Sequence, residues 1–408
     1  MQNNTMTNLP QGWEVKKLGD IAEISSGGTP SRNKKEYWEN GIIPWVKIKD
    51  IKKNFISTTE EFITKDSLKN SSAKLFKKGT LLYSVFATLG KVAILDIDAT
   101  TNQAIAGISI KENNINSLYL MYFLKSIKDE ICSKGRGVAQ NNLNLSILKQ
   151  IQIPLPPLKE QERIVGVLDE SFANIDESIK ILEQDLLNLD ELMQSALQKA
   201  FNPLKDDAKG NYQLPQGWEW KSLGDISNYG KTSQVKPSQL KGNDWILELE
   251  DIEKESGVLL QKVLFQDRQS KSNKIKFNKG DILFGTLRPY LKKVIIADDN
   301  GACSSEIMPF STGNSITNHF IYYYLFANFL HDRISSLTYG ARMPRLGTKD
   351  GKSLQIPLPP LQEQEQIAKH LDFVFEKAKA LKELYTKELQ DYEELKQSLL
   401  DKAFKGEL

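Results

Sequence analysis

The sequence predicts an α/β (α+β) chain written twice: two mixed α/β globular domains joined by two long antiparallel coiled-coil helices, with a pseudo-two-fold internal repeat. The first observation behind this is a duplication, which decides the architecture before any single element is assigned. LPQGWEVKKLGDI (Leu9–Ile21) returns as LPQGWEWKSLGDI (Leu214–Ile226), identical at 11 of 13 positions with an offset of 205. IPLPPLKEQERI (Ile153–Ile164) returns as IPLPPLQEQEQI (Ile356–Ile367), and QSALQKAF (Gln194–Phe201) as QSLLDKAF (Gln397–Phe404), both at an offset of 203. The second observation is a long apolar stripe after each proline pair. The third is the alternation of short β-branched runs with Gly, Asn and Asp turns over the roughly 155 residues before each stripe.

Each half opens with its globule. Ile42–Ile51, Thr80–Phe86, Val92–Leu95, Asp281–Phe284 and Lys293–Ala297 read as strands, and Leu118–Ile131 and Phe320–Ile334 as helices. Between the anchors the halves match only faintly, at Lys78-Gly79 with Lys279-Gly280 and Lys91-Val92 with Lys293-Val294. A shared scaffold with a diverged interior suits two modules that bind different things.

Pro156-Pro157 and Pro359-Pro360 end an extended segment and open a helix, since proline is tolerated in the first turn. Glu160, Glu162, Glu363 and Glu365 put negative charge on the positive helix end. Along the first helix Val165, Leu168, Phe172, Ile175, Ile179, Leu182, Leu186, Leu189, Met193, Ala196 and Ala200 alternate by three and four, a coiled-coil seam. The second carries a broader stripe: Ile367, Leu371, Val374, Ala378, Leu381, Tyr385, Leu389, Tyr392, Leu395 and Leu399. A helix of about 44 residues is about 66 Å long and must bury such a seam. Its nearest available partner is the other helix. Because a whole globule lies between them in sequence, the pair must run antiparallel. The division expected is 1–157, 158–204, 205–360 and 361–408.

The chain has 408 residues, 40% hydrophobic and 26% charged, which suits globular protein and excludes a disordered one. No apolar run approaches the roughly 20 residues of a membrane span, and the N-terminus lacks a signal-peptide pattern. Cys132 and Cys303 form no disulfide framework, and His319, His331 and His370 are scattered, so a metal site is not expected. These features point to the cytoplasm. The net charge of +2 hides a segregation: +7 over 1–157, −6 over 158–201, +4 over 202–360 and −3 over 361–408. Basic globules fit nucleic acid, although a surplus this small is weak support alone.

No catalytic constellation stands out. Gly230-Lys231-Thr232 resembles the end of a phosphate-cradling loop, but five residues separate Gly224 from Gly230 where that motif needs four. A turn carrying a lysine is the better reading, with Lys231 and Thr232 kept as DNA-contact candidates. SSGGTPSRNKK (Ser25–Lys35) offers Ser25, Gly27, Thr29, Ser31, Lys34 and Lys35 for phosphates. KGRGVAQNNLN (Lys134–Asn144) offers Arg136, Gln140, Asn141 and Asn142, where arginine suits guanine edges and the amides suit adenine. Its counterpart, YGARMPRLG (Tyr339–Gly347), keeps a glycine but replaces the amides with Arg342 and Arg345. Arg288 and Lys292, aligned with the Thr88–Lys91 turn, complete the candidates. Trp13 and Trp218 sit in the repeated opening segments and read as packing anchors.

The layout Leu-Pro-x-Gly-Trp-x-x-x-x-Leu-Gly-Asp, variable domain, Ile-Pro-Leu-Pro-Pro-Leu-x-Glu-Gln and long helix, all repeated once, resembles the specificity subunit of type I restriction–modification systems. The resemblance covers essentially the whole chain. It implies two target-recognition domains that each read half of a bipartite, asymmetric site on double-stranded DNA, with the helix pair as spacer. It further implies no catalysis on this chain and no cofactor of its own. Two methylation subunits would use S-adenosylmethionine to methylate adenines, and restriction subunits would cut with ATP and magnesium. A type II enzyme's specificity chain or a lone DNA-binding regulator are the alternatives.

Overall fold

In the structure, a computed structural model describing residues 9–135, 143–201, 214–313 and 316–408, the repeated segments of each half pair with one another. Glu14–Lys17 lies antiparallel to Gln152–Leu155, and Glu219–Ser222 to Gln355–Leu358, in equivalent register (Glu14 opposite Leu155, Glu219 opposite Leu358). The first and last strands of a globule thus close on each other. That is a physical reason for both segments to have survived duplication while the interior changed.

The chain packs as two compact units, residues 1–182 with 387–408 and residues 183–386. The packing division therefore differs from the four consecutive segments expected, because each long helix (Leu158–Phe201 and Leu361–Lys405) contributes one part to each unit. In the first unit a five-stranded sheet runs in the order Ala22–Ser26, Ile105–Ile110, Leu81–Ser84, Val92–Leu95, Phe55–Ile56. A four-stranded sheet runs Glu61–Ile63, Ile43–Val46, Ala99–Thr101, Leu75–Phe76. In the second unit the sheets have four strands (Gln234–Val235, Lys274–Phe277, Gly301–Cys303, Trp245–Leu247) and three (Val294–Ile296, Ile282–Gly285, Ile307–Phe310).

Where one helix per globule was expected, two short ones occur: Ser117–Ser126 then Lys128–Gly135, and Asn318–Tyr324 then Asn328–Leu337. The break in the second unit buries Leu325, Phe326 and Ala327, which a continuous helix would turn partly outward. The first helix of each pair starts from a side-chain cap. Asn116 Oδ1 accepts from Leu118 N at 2.9 Å, and Thr317 Oγ1 accepts from Phe320 N at 3.3 Å.

The same three contacts fix the long helices onto both globules. Gln161 Oε1 accepts from the Asn116 N–H at 2.8 Å, and Gln364 Oε1 from Thr317 N–H at 3.2 Å. The Tyr122 hydroxyl donates to Asp169, and the Tyr323 hydroxyl to Asp372 at 2.6 Å. Phe404 packs edge-on against Tyr119 and Phe123, as Phe201 does against Phe320 and Tyr324. The repeated Glu-Gln after the prolines and the repeated Lys-Ala-Phe at the helix end are therefore docking chemistry.

Within each unit the two helices run antiparallel. In the first, Arg163 bonds the Leu408 carbonyl at 2.7 Å and Lys396 meets Asp176 at 2.6 Å; in the second, Lys382 meets Asp190 and Leu197 shares a core with Leu371. Leu168, Ile175, Leu182, Leu189 and Leu371 are buried, and Phe172, Ile179, Leu186, Tyr385, Tyr392 and Leu399 are half-buried. The seam departs from expectation at the end of the first helix and at several positions of the second. Leu197 and Phe201, at 0% and 1% exposure, are the buried residues where Ala196 and Ala200 were expected. On the second helix Leu400, Ala403 and Phe404 are buried, while Leu381 and Leu395 are exposed.

His331 gives the second unit a pH dependence. Its ring is buried, Nε2 lies 2.6 Å from the Leu325 carbonyl, and burial foremost pushes its pKa down to about 4. The folded state therefore favours the neutral ring, and its contribution is complete above the unfolded value of about 6.5. It drains away as pH falls from there toward 4. In urea titrations, His331→Gln is expected to flatten the loss of stability over that window; an unchanged slope would rule the group out.

Candidate nucleic-acid interface

In the first unit the Gly-rich loop divides into buried and exposed parts. Gly27 is inside: its N–H donates to the Ile105 carbonyl at 3.1 Å, and a Cβ would collide with Thr101. It is corrected from DNA contact to packing position, chosen for close backbone approach. Ser25 is half-buried at the end of a strand, and the Thr29 hydroxyl bonds the Gln103 amide oxygen. Ser31, Lys34 and Lys35 are exposed. Beside them the Arg32 guanidinium lies over Trp38, 3.7 Å from the ring centroid, and 2.6 Å from Glu61. Arg136, Gln140, Asn141 and Asn142 lie outside the described residues.

In the second unit two distant loops are zipped together. Arg288 N donates to the Pro344 carbonyl at 2.7 Å, Leu346 N donates to the Thr286 carbonyl at 2.9 Å, and Leu287 bridges Arg345. The sequence had separated these candidates by more than 50 residues. The Tyr339–Gly347 loop is a hairpin, Thr338–Tyr339 against Arg345–Leu346, whose Gly340 takes φ +95°. Arg288 and Arg342 are exposed and Arg345 is half-buried; none makes a side-chain hydrogen bond or ion pair with the described residues. Tyr290, Tyr339 and Met343 are exposed beside them. Three free guanidinium groups and exposed aromatics on a hydrogen-bonded frame suit phosphate oxygens and base edges.

Lys231 and Thr232 are exposed in a turn closed by Lys231 N to the Asn228 carbonyl at 2.9 Å. A strand, Gln234–Val235, follows this turn, so no helix N-terminus is placed to receive a phosphate. Lys292 is corrected. It is 7% exposed, its ammonium bonds Asn328, and burial lowers its pKa. It braces the loop from inside and is not offered to a phosphate. Trp218 is buried, with its indole N–H on Glu363 at 3.1 Å.

A profile of the type I restriction modification DNA specificity domain matches residues 10–186 and again residues 215–390. The chain belongs to that family. The MjaIX specificity subunit of Methanocaldococcus jannaschii is 35% identical over 53% of this chain, and that match spans about half (52%) of the relative's own length. The EcoDI specificity subunit of Escherichia coli is 23% identical over 98% of this chain and 89% of its own. A chain from a solved structure on assembly and conformational transition of the type I R-M system superposes with a TM-score of 0.78 at 22% identity, covering 98% of this chain and all 100% of that one. The HsdS subunit crystal structure from Thermoanaerobacter tengcongensis gives 0.59 at 21% identity, covering 100% of both. These likenesses show the fold. Among the described residues, no helix of this specificity protein is long and apolar enough to cross a membrane.

Sequence reasoning missed a basic stretch of the first specificity domain. Lys49, Lys52 and Lys53 are exposed, and Lys47 and Lys49 pair with Glu61 and Glu60. The Lys-Ile-Lys-Asp-Ile-Lys-Lys run (47–53) was the available signal. It also missed Arg32 as a stacked side chain.

Proposed function

We propose that this chain is the non-catalytic DNA-reading subunit of a type I restriction–modification complex. Each specificity domain reads half of a bipartite, asymmetric site on double-stranded DNA. Two methylation subunits dock on it and methylate adenines with S-adenosylmethionine, and restriction subunits requiring ATP and magnesium complete the assembly. The observation that carries this reading is the two-copy family domain whose docking contacts repeat while its exposed loops do not. A kept frame with changed loops is what two different half-sites require. The basic surplus of the two globules and the acidic helices support it, since acidic helices are repelled by phosphates and remain available to protein. Co-expression with its methylation subunit and methylome sequencing tests it: a two-part adenine-methylated sequence is expected, and no defined site would refute it.

In that assembly, Arg342→Ala or Arg345→Ala is expected to cost about 1–3 kcal/mol at one base position and relax only the second half-site. A uniform loss on all DNA would mark a phosphate contact instead. No loss would remove the hairpin from the interface.

A further inference from the structure

We propose that Glu306 is a base-reading residue: its carboxylate accepts from the exocyclic amino group of a base, next to a base contact by Arg288. This rests on the DNA-reading function proposed above and names a contact within it.

The second unit has an open cleft of about 480 Å³ at the foot of the zipped loops, lined among others by Glu248, Glu250, Glu306, Arg268, Arg288 and Lys293. Four of these six charged groups are already engaged. Glu248 pairs with Lys274 at 2.7 Å, Glu250 with Arg268 at 2.8 Å, and Lys293 donates to the Leu249 carbonyl at 2.7 Å. Glu306 and Arg288 make no side-chain hydrogen bond or ion pair with the described residues. One free acceptor and one free donor therefore share a cleft whose other charges are satisfied.

The backbone holds both in place. Thr286 N donates to the Glu306 carbonyl at 2.8 Å, and the Thr286 carbonyl accepts from Leu346 N at 2.9 Å. Two backbone hydrogen bonds thus join Glu306 and Leu346 through Thr286, just beyond the ends of strands Ile307–Phe310 and Ile282–Gly285, and two residues beyond Thr286 comes Arg288, itself bonded to Pro344. An ionised carboxylate only accepts hydrogen bonds, and it is repelled by phosphate. On a DNA-facing surface its attractive partners in the major groove are cytosine N4 and adenine N6, while arginine donates to guanine O6 and N7. A half-buried carboxylate that pairs with no cation among the described residues, in a cleft shared with the unpaired Arg288, is placed for reading a base, not for gripping the backbone.

The test is methylome sequencing of the full-length chain with its methylation subunit, as wild type, Glu306→Ala and Glu306→Gln. Glu306→Ala is expected to keep the first half-site and lose about ten- to hundred-fold discrimination at one position of the second. Glu306→Gln preserves shape and can bond adenine bidentately, so that position is expected to shift toward adenine on the contacted strand. Unchanged discrimination at every position in both variants would overturn the inference. So would total loss in Glu306→Ala with a wild-type pattern in Glu306→Gln, which is the signature of a structural role. A wild-type chain that directs methylation to no defined site would instead refute the DNA-reading function itself.

Discussion

Replacing Phe404 by alanine is expected to destabilise the first unit by about 3–5 kcal/mol, and replacing Phe201 is expected to do the same to the second. Phe404 is 7% exposed, with its ring 5.2 Å from Tyr119 and 5.3 Å from Phe123, both edge-on. Phe201 is 1% exposed, 5.0 Å from Phe320 and 5.2 Å from Tyr324. Such pairs add about 0.5–1.5 kcal/mol each to the burial of the ring itself. The side chain plugs an aromatic socket whose walls come from a distant stretch of sequence, so the socket cannot close without it. Hydrogen exchange on the full chain separates the two cases. Phe404→Ala should expose amides of residues 117–135, and Phe201→Ala those of 318–337. A loss below about 1 kcal/mol, or exchange spread evenly over both units, would show that the plugs do not hold the helices down.

How much of this was legible in the sequence depends on whether the cause was periodic or distant. The duplication, the long helices and most of the seam were legible, because Leu168, Ile175, Leu182 and Leu189 recur at a spacing that only one helix face satisfies. The seam failed where a strict 3.5-residue template meets a helix of 3.6 residues per turn. That mismatch drifts by about 20° per heptad. After five heptads the buried positions have moved from Ala196 and Ala200 to Leu197 and Phe201. The site was less legible. Nothing near Lys292 announces Asn328, 36 residues later, which takes up its ammonium. Gly27 looked like a flexible loop glycine because Thr101, which excludes a side chain there, belongs to a remote strand. Glu306 could not be chosen from sequence, since what distinguishes it is that Glu248 and Glu250 of the same cleft are paired, while it pairs with none of the described residues.

Residues 1 to about 205 alone are expected to form a two-fold dimer that, with the methylation subunit, methylates a palindrome built from the first half-site and its inverted repeat. That fragment carries one globule and one complete long helix. Its apolar seam would be exposed in a monomer, which is unfavourable in water. In the full chain the first socket receives Leu400, Ala403 and Phe404. The fragment's own helix ends in Leu197, Ala200 and Phe201, the same residue types at an offset of 203. A second copy can therefore plug the first socket with the side chains it already accepts, and the relation is reciprocal, as an isologous interface requires. The ion pairs of Lys396 with Asp176 and Lys382 with Asp190 would be lost, because Met193 and Ile179 stand at the equivalent positions. Both pairs are solvent-exposed on the acidic side, so their loss costs about 0–1 kcal/mol each. The harder point is Ala378, which shares a buried cluster with Leu189 and Met193. Its equivalent is Ile175, and three extra carbons there cost about 1–3 kcal/mol through overpacking. Ile175→Ala should relieve that crowding and tighten the dimer. Light scattering and methylome sequencing decide the matter: a stable monomer, or methylation of the original asymmetric site, would show that the first half is not a complete repeat unit.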